Sequence, residues 1–296
     1  MAVLFVFIDG VGLGNAGEEN PFYSQRYDSF EVLIGAPFDN QAQSITTSNH
    51  LFKPIDANLG VEGLPQSGTG QTSLFTGHNA SKKIGKHFGP YPHSGIKPLL
   101  QSKSIFHGVK EMGKKPYFMN AYPPIFFAHA KRRNRWSCTT LMTKSADMRL
   151  NSTKEILSEK ALTAEIVQNA WRERLDIDIP KITAVDAAKR VLNILPDYDL
   201  LLYEYYLTDK AGHSQRPEDA GRVLKPLDEF LMHIIEHKRS EDLLVISSDH
   251  GNLEDLSTKT HTRNKVPLFV FGEGADIFNC VDSLIDIKGS ILRFLE

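Results

Sequence analysis

Cysteine is scarce. Cys138 and Cys280 are the only two in 296 residues. They stand far apart, so they form neither a disulfide framework nor a thiolate metal motif, and such sparse use suits a reducing compartment. Long apolar runs are missing as well. No segment reaches the roughly 18 apolar residues that span a bilayer. The run Ala2–Ile8 is short, has no basic flank and passes straight into Asp9-Gly10. It therefore reads as a buried strand and not a secretion signal, and the expected location is cytoplasmic. Charge of one sign is also lacking. Lys+Arg 34 against Asp+Glu 36 gives a net charge of −2. No basic field draws the chain to nucleic acid or to a membrane surface, and no stripe of interleaved aromatic and basic residues is present. Nothing in the sequence speaks to oligomeric state. With 41% apolar and 24% charged residues the composition is that of a globular protein. A chain this long buries about three quarters of its unfolded surface and needs no covalent staple.

What is present is an alternation of strands and helices. AVLFVFI near the N-terminus is a continuous apolar run of strand length, and similar runs recur at 116–121, 199–206, 242–248 and 267–271. Such runs suit strands covered on both faces. Between them, helical periodicity places Val185, Ala188, Val191 and Leu192 on one stripe, and Val223, Leu224, Leu227, Phe230, Leu231 and Ile234 on another. A closing helix is expected over 281–295. The fold class that follows is α/β, a mostly parallel sheet between helices. The segment 23–64 shows little periodicity. The segment 81–181 is also irregular, with a Gly/Pro/His stretch (GKHFGPYPHSGIKP) and a basic cluster (KRRNR). It reads as an inserted cap on a sheet domain formed by 1–80 and 182–296.

Acids and imidazoles collect where the strands end. Asp9 ends the first, Asp209 and His213 follow the run 199–206, and Asp249-His250-Gly251 follows LLVISS. His261 sits in a polar loop before the next run. Ligands of open α/β sheets bind at that edge, so three Asp and three His there make a site for two metal ions. Asp209 and His213, four apart, share one face of a helical turn. Taken singly, each motif also fits a surface loop; the set is the signal. A further element, LPQSGTGQTSLFTGHNA (64–80), places hydroxyls among glycines before an apolar pair. It reads as a flexed loop opening a helix, whose free N–H groups suit an anion. No Gly-Lys-Ser/Thr follows, so it is not a Walker loop. An ordinary Ser/Thr cap is the other reading.

The order of these motifs, Asp-Gly, then Ser-Gly-Thr-Gly, TDKAGH, SDHGN and HTRNKVP, resembles the alkaline phosphatase superfamily, on the branch of cofactor-independent phosphoglycerate mutase and phosphopentomutase. The resemblance covers residues 1–80 and 195–296. It implies an alkaline-phosphatase-like sheet and two divalent ions, Mn²⁺ or Zn²⁺. One ion would be held by Asp9, Asp249, His250 and the nucleophilic hydroxyl, the other by Asp209, His213 and His261. The nucleophile matches Ser67, ten residues before Gly77, with Thr69 as the second candidate. The implied reaction is phosphoryl transfer on a small phosphorylated metabolite through a Ser phosphoenzyme, completed by water in a phosphatase or by a substrate hydroxyl in a mutase.

Two departures weigh against phosphoglycerate mutase activity. The segment after Gly77 is too short for the large insert of the bacterial mutases, and Gln71 stands where those enzymes have a His after the nucleophile. A small cap favours hydrolysis. Lys86, His87, Arg132, Arg133 and Arg135 are candidates for binding the substrate's charged groups. A phosphodiesterase or sulfatase on the same scaffold is an alternative, although the Cys-x-Pro-x-Arg motif of sulfatases is missing. A non-catalytic metal binder is another, although all seven ligand positions are filled.

Overall fold

The computed structural model describes residues 1–35, 37–133 and 135–296. The apolar runs become the strands of one seven-stranded sheet: β1 (Val3–Ile8), β2 (Ile45–Thr46), β3 (His50–Ile55), β4 (Pro116–Phe118), β5 (Leu200–Tyr205), β6 (Leu243–Ser247) and β7 (Val266–Phe271). Their spatial order is β2-β3-β7-β6-β1-β5-β4. β1 lies at the centre of a parallel group with β4, β5 and β6. β7 runs antiparallel to β6 and β3. The sheet is thus mixed but mostly parallel, as expected.

Alternation along each strand explains the continuous apolar runs. Leu4, Val6 and Ile8 of β1, with Leu201, Tyr203 and Tyr205 of β5, face one core. That core is closed by helices Asp28–Ile34, Ala184–Ile194 and Pro217–His237. Val3, Phe5 and Phe7, with Leu200 and Leu202, face the other core, under helices Ser67–Thr76, Ile105–Glu111, Cys138–Ser145 and Leu284–Leu295. Both faces of every central strand are dry, so period-two alternation is invisible in the sequence.

Two segments with little pattern in the sequence contribute to the sheet and its cores. The segment 23–64, which lacks a clear period, supplies helix Asp28–Ile34 and strands β2 and β3. β2 is a two-residue edge strand and β3 beside it is only partly covered, so both carry little pattern. The segment 81–181, read as an inserted cap, also contributes to the sheet and its second core. Its β4 is the edge strand beside β5, and its helices Ile105–Glu111 and Cys138–Ser145 fill the second core. The polar stretch 152–175 forms only the short helices Thr153–Leu157 and Asn169–Glu173. Among the described residues, no helix is long and apolar enough to cross a membrane.

Phe75 is fully buried on the helix that starts at Ser67, with its ring edge-on to Phe7 (5.2 Å) and Phe5 (6.1 Å) of β1. This pairing fastens the hydroxyl-bearing helix to the central strand. Phe75→Ala is expected to cost about 3–5 kcal/mol in chemical denaturation. A loss under about 1 kcal/mol would show that the pairing does not anchor the helix.

Candidate metal centre

Strand direction brings the polar residues together. β1, β5 and β6 are parallel, so Asp9, Asp209 and Asp249-His250 leave the sheet at one edge. β7 runs the other way, so the loop entering it, with His261, arrives at that same edge. Gly10 has φ +68°, and a Cβ there would lie 2.7 Å from Asp209 Oδ1. Only glycine allows β1 to turn this close to Asp209.

The hydroxyl-rich segment is helix Ser67–Thr76, buried along its whole length, with Ser67 as its first residue. Its backbone approaches the loop after β6 so closely that a Cβ at Gly70 would lie 2.7 Å from the Asp249 carbonyl oxygen. Most of its hydroxyls turn back on the helix. Thr72 donates to Gly68 O (2.6 Å), Ser73 to Thr69 O (2.8 Å) and Thr76 to Thr72 O (2.6 Å). Thr69 donates to Gln66 O (3.1 Å) and accepts from Phe88 N (3.1 Å), so its hydroxyl is spent on structure. Ser67 Oγ instead lies 3.1 Å from His250 Nε2.

The donor atoms interlock. His250 Nε2 is 3.4 Å from Asp9 Oδ1 and 3.5 Å from Asp249 Oδ2. His261 Nε2 is 3.5 Å from Asp209 Oδ1, and His213 Nε2 is 3.4 Å from Asp209 Oδ2. The His250 and His261 rings stack at 3.8 Å. Two sets have ligand atoms all within 4.8 Å of one another: Asp9, Asp249 and His250, and Asp209, His250 and His261. His250 thus stands between the two sets. His213 is the outermost donor, with its side chain 44% exposed and its Nε2 3.3 Å from His261 Nε2.

Three observations fit these residues to divalent cations. Each histidine turns Nδ1 to a backbone carbonyl: His213 to Lys259 (2.8 Å), His261 to Pro65 (2.7 Å) and His250 to Gly251 (3.3 Å). A carbonyl only accepts, so Nδ1 carries the hydrogen and Nε2 is the ligand nitrogen. Asp9 Oδ1 and Asp249 Oδ2 are buried with no hydrogen-bond partner. Finally, among the described residues no Lys or Arg pairs with Asp9, Asp209 or Asp249; their only ionic partners are histidines.

Protonation answers to the same imbalance. Burial, then Asp249 and Asp209, push Asp9 well above the usual carboxylate range. Burial and the charge of Asp209 push Asp249 up to about 7. Burial alone would raise Asp209, but the hydrogen bond with His213, the nearby His250 and the bond from Asn252 outweigh it and hold Asp209 below the usual range. Burial, then His250, lowers His261 to about 4, and burial lowers His250. The hydrogen bond with Asp209 raises His213. Without ions, protons on Asp9, Asp249 and His213 therefore relieve the crowding.

The motif reading overlooked several residues that hold this arrangement. Glu254 is buried and ties three ligand-bearing loops. It accepts from Gly12 N (2.8 Å), Asn252 N (2.7 Å), Thr262 Oγ1 and Asn264 Nδ2 (3.0 Å). Asn252 Nδ2 donates to Asp209 Oδ1 (2.7 Å), and Gln71 Nε2 donates to Asp9 Oδ2 (3.1 Å). Glu204 is buried near the end of β5, where the run LLLYEYY read simply as strand. A carboxylate inside a dry strand was the available signal.

A cavity of about 1110 Å³ opens over the centre, lined by Asp9, Ser67, Gln71, Arg135, Glu204 and Asp209 among others. Of the cations expected to bind substrate, Arg135 reaches it, its guanidinium 4.1 Å from the centroid of the Tyr91 ring. Arg132 and Arg133 are exposed and do not line it. The Lys131 side chain and Asn134 of the same cluster lie outside the described residues. Lys86 and His87 line a separate shallow depression. Both His87 nitrogens are engaged there, by Ser81 Oγ (3.2 Å) and Val61 O (3.1 Å).

Ligation requires the acids to be ionised and the histidines neutral. Binding of Mn²⁺ at pH 6 should therefore release protons, and the share from Asp249, raised to about 7, should fade as the pH climbs past that value. Calorimetry in buffers of different ionisation enthalpy measures this; no release at pH 6 would contradict the assigned protonation. Glu254→Gln should weaken metal binding about 10- to 100-fold without unfolding the chain. Unchanged metal affinity would remove Glu254 from its positioning role.

The family model described as "Metalloenzyme superfamily" matches residues 1–296. The chain is 31% identical over 295 residues to the 2,3-bisphosphoglycerate-independent phosphoglycerate mutase of Thermococcus gammatolerans, a match covering 90% of this chain and 70% of that one. It is 34% identical over 88 residues to the phosphopentomutase of Alkaliphilus oremlandii, covering 29% of this chain and 23% of that one. In fold it is similar to the alkaline phosphatase of the Antarctic bacterium TAB5, with a TM-score of 0.59, 12% identity, and coverage of 99% of this chain and 97% of the other. The chain belongs to the metalloenzyme superfamily, whose members bind divalent metal ions, and its fold is that of the alkaline phosphatases.

Proposed function

We propose that the protein catalyses metal-dependent phosphoryl transfer on a small phosphorylated metabolite, with Ser67 as the group that is transiently phosphorylated. The observation that carries the reading is the placement of Ser67 Oγ, 3.1 Å from His250 Nε2 at the meeting of the two donor sets. Asp9, Asp249 and His250 would hold one ion beside Ser67, and Asp209, His213 and His261 the other. The imidazole and carboxylate donors suit Mn²⁺ or Zn²⁺. Bound there, two ions supply Lewis acidity and lower the pKa of a coordinated hydroxyl.

The chain's own residues do the rest. Ser67 stands at the start of its helix and on the cavity wall, where the positive end of the helix dipole favours a bound anion. Gln71 holds Asp9 in place through its amide, and Arg135 supplies a cation on the cavity wall. Transfer to Ser67 is followed by attack from the side opposite Ser67.

Hydrolysis is the favoured outcome. The cover over the cavity is a set of short helices and loops, which leaves water access to the phosphoenzyme. A mutase is the second reading, favoured by the named activities of the relatives. Phosphorus NMR with Mn²⁺ or Zn²⁺ over phosphorylated sugars, glycerates and a phosphodiester separates them. Free phosphate marks a hydrolase, and conversion between two esters marks a mutase. Ser67→Ala should lose turnover by at least about 100-fold while both ions stay bound. Full activity in that variant would discard the Ser67 mechanism.

A further inference from the structure

We propose that Glu204 is the general acid and base of the reaction, giving a proton to the departing ester oxygen and taking one from the incoming hydroxyl. This rests on the phosphoryl-transfer reading above. Glu204 stands opposite Phe7 in the β1–β5 register, two residues before the position level with Asp9. It shares a sheet face with Leu200 and Leu202, the face that the Ser67 helix covers. It is 6% exposed and lines the cavity that holds Ser67 and Asp9.

Its surroundings fix it and leave one oxygen free. Asn120 clamps the backbone, donating from Nδ2 to Glu204 O (2.7 Å) and accepting from Glu204 N at Oδ1 (2.8 Å). Thr139 Oγ1 donates to Oε2 (2.8 Å). No protein group bonds Oε1 among the described residues. Thr139 follows Cys138, whose Sγ lies 3.6 Å from Gly68 O, so the helix that orients Glu204 abuts the start of the Ser67 helix.

The other acids on the cavity wall are committed elsewhere. Asp9 and Asp209 belong to the donor sets. Asp219 pairs with Arg216 (2.5 Å) and Arg222 (3.2 Å). Glu165 accepts from Ala170 N, and Glu173 is exposed. Burial, partly offset by the Thr139 bond, brings Glu204 up to about 7, a value at which one carboxyl both gives and takes a proton near neutral pH.

The step balances. Ser67 enters as the alkoxide. Its oxygen bonds to phosphorus, the P–O ester bond breaks, and the departing oxygen keeps the electron pair and takes the Glu204 proton. In the second half, the Glu204 carboxylate takes a proton from water or an acceptor hydroxyl as that oxygen bonds to phosphorus. The P–Oγ bond then breaks, and the Ser67 oxygen leaves as it entered.

Leaving-group dependence tests this. An alkyl phosphate such as glycerol phosphate needs its departing oxygen protonated; p-nitrophenyl phosphate does not. In the Mn²⁺-loaded protein, Glu204→Gln should lower kcat/KM for the alkyl ester about 100-fold and that for the nitrophenyl ester by less than about threefold. Metal content should be unchanged, and Glu204→Asp should recover part of the alkyl-ester activity. Equal losses on both esters, or none on either, would overturn the role of Glu204. A wild-type protein that carries two ions and turns over neither ester would instead overturn the phosphoryl-transfer reading on which this one stands.

Discussion

Three carboxylates at one edge of a sheet, paired with no lysine or arginine among the described residues, are the constraint around which this molecule is arranged. Asp9, Asp209 and Asp249 come from three strands whose burial leaves them little water. In a poorly solvated site such charges repel strongly unless a cation or a proton intervenes. Histidines with Nδ1 fixed on carbonyls turn their other nitrogen inward, so the three imidazoles and three carboxylates all present acceptors to a positive partner. Metal binding and phosphate chemistry are two uses of that single electrostatic deficit.

The surrounding structure holds the deficit in place. Glu254 gathers the loops after β1 and β6 and the loop before β7, and its own charge is satisfied by four donors. Glycines stand where the chain segments touch, at Gly10 against Asp209 and Gly70 against Asp249. The helix beginning at Ser67 is polar in sequence yet wholly buried. That is tolerable because its hydroxyls return hydrogen bonds to the carbonyl four residues back. Ser67, in the first turn, has no such carbonyl behind it within the helix, and its hydroxyl is left for the centre.

The cover over the centre is of a different character. Its short helices and loops bring Tyr122, Phe126, Arg135 and Trp171 to the cavity wall. It is also pinned to the sheet body. Buried Arg190 donates to Ala161 O (2.9 Å), and Tyr203 donates to Thr163 O (2.9 Å). The proposed chemistry thus sits on strand ends, beneath loops that line the cavity.

By itself the sequence determined the fold class and pointed to the acids and imidazoles that the fold gathers at one edge. Unbroken apolar runs could only be strands covered on both sides, and acids or imidazoles placed just beyond them could only gather at an edge. Residue chemistry alone did not separate Ser67 from Thr69; only the resemblance put Ser67 first. Both are hydroxyls in one glycine-rich loop, and they differ only in what the folded helix places beside them: His250 for one, Gln66 O and Phe88 N for the other. The sequence reading overlooked Glu204, whose partners Asn120 and Thr139 are distant in the chain, and Glu254, which ties nearby Asn252, Thr262 and Asn264 to distant Gly12. Nor could it separate Arg135 from Arg132 and Arg133, since a run of like residues holds no record of which one turns inward. Local pattern carries burial and period. Which distant groups share a cavity depends on strand order and direction, here the reversal of β7 that brings His261 to the edge where the parallel strands end.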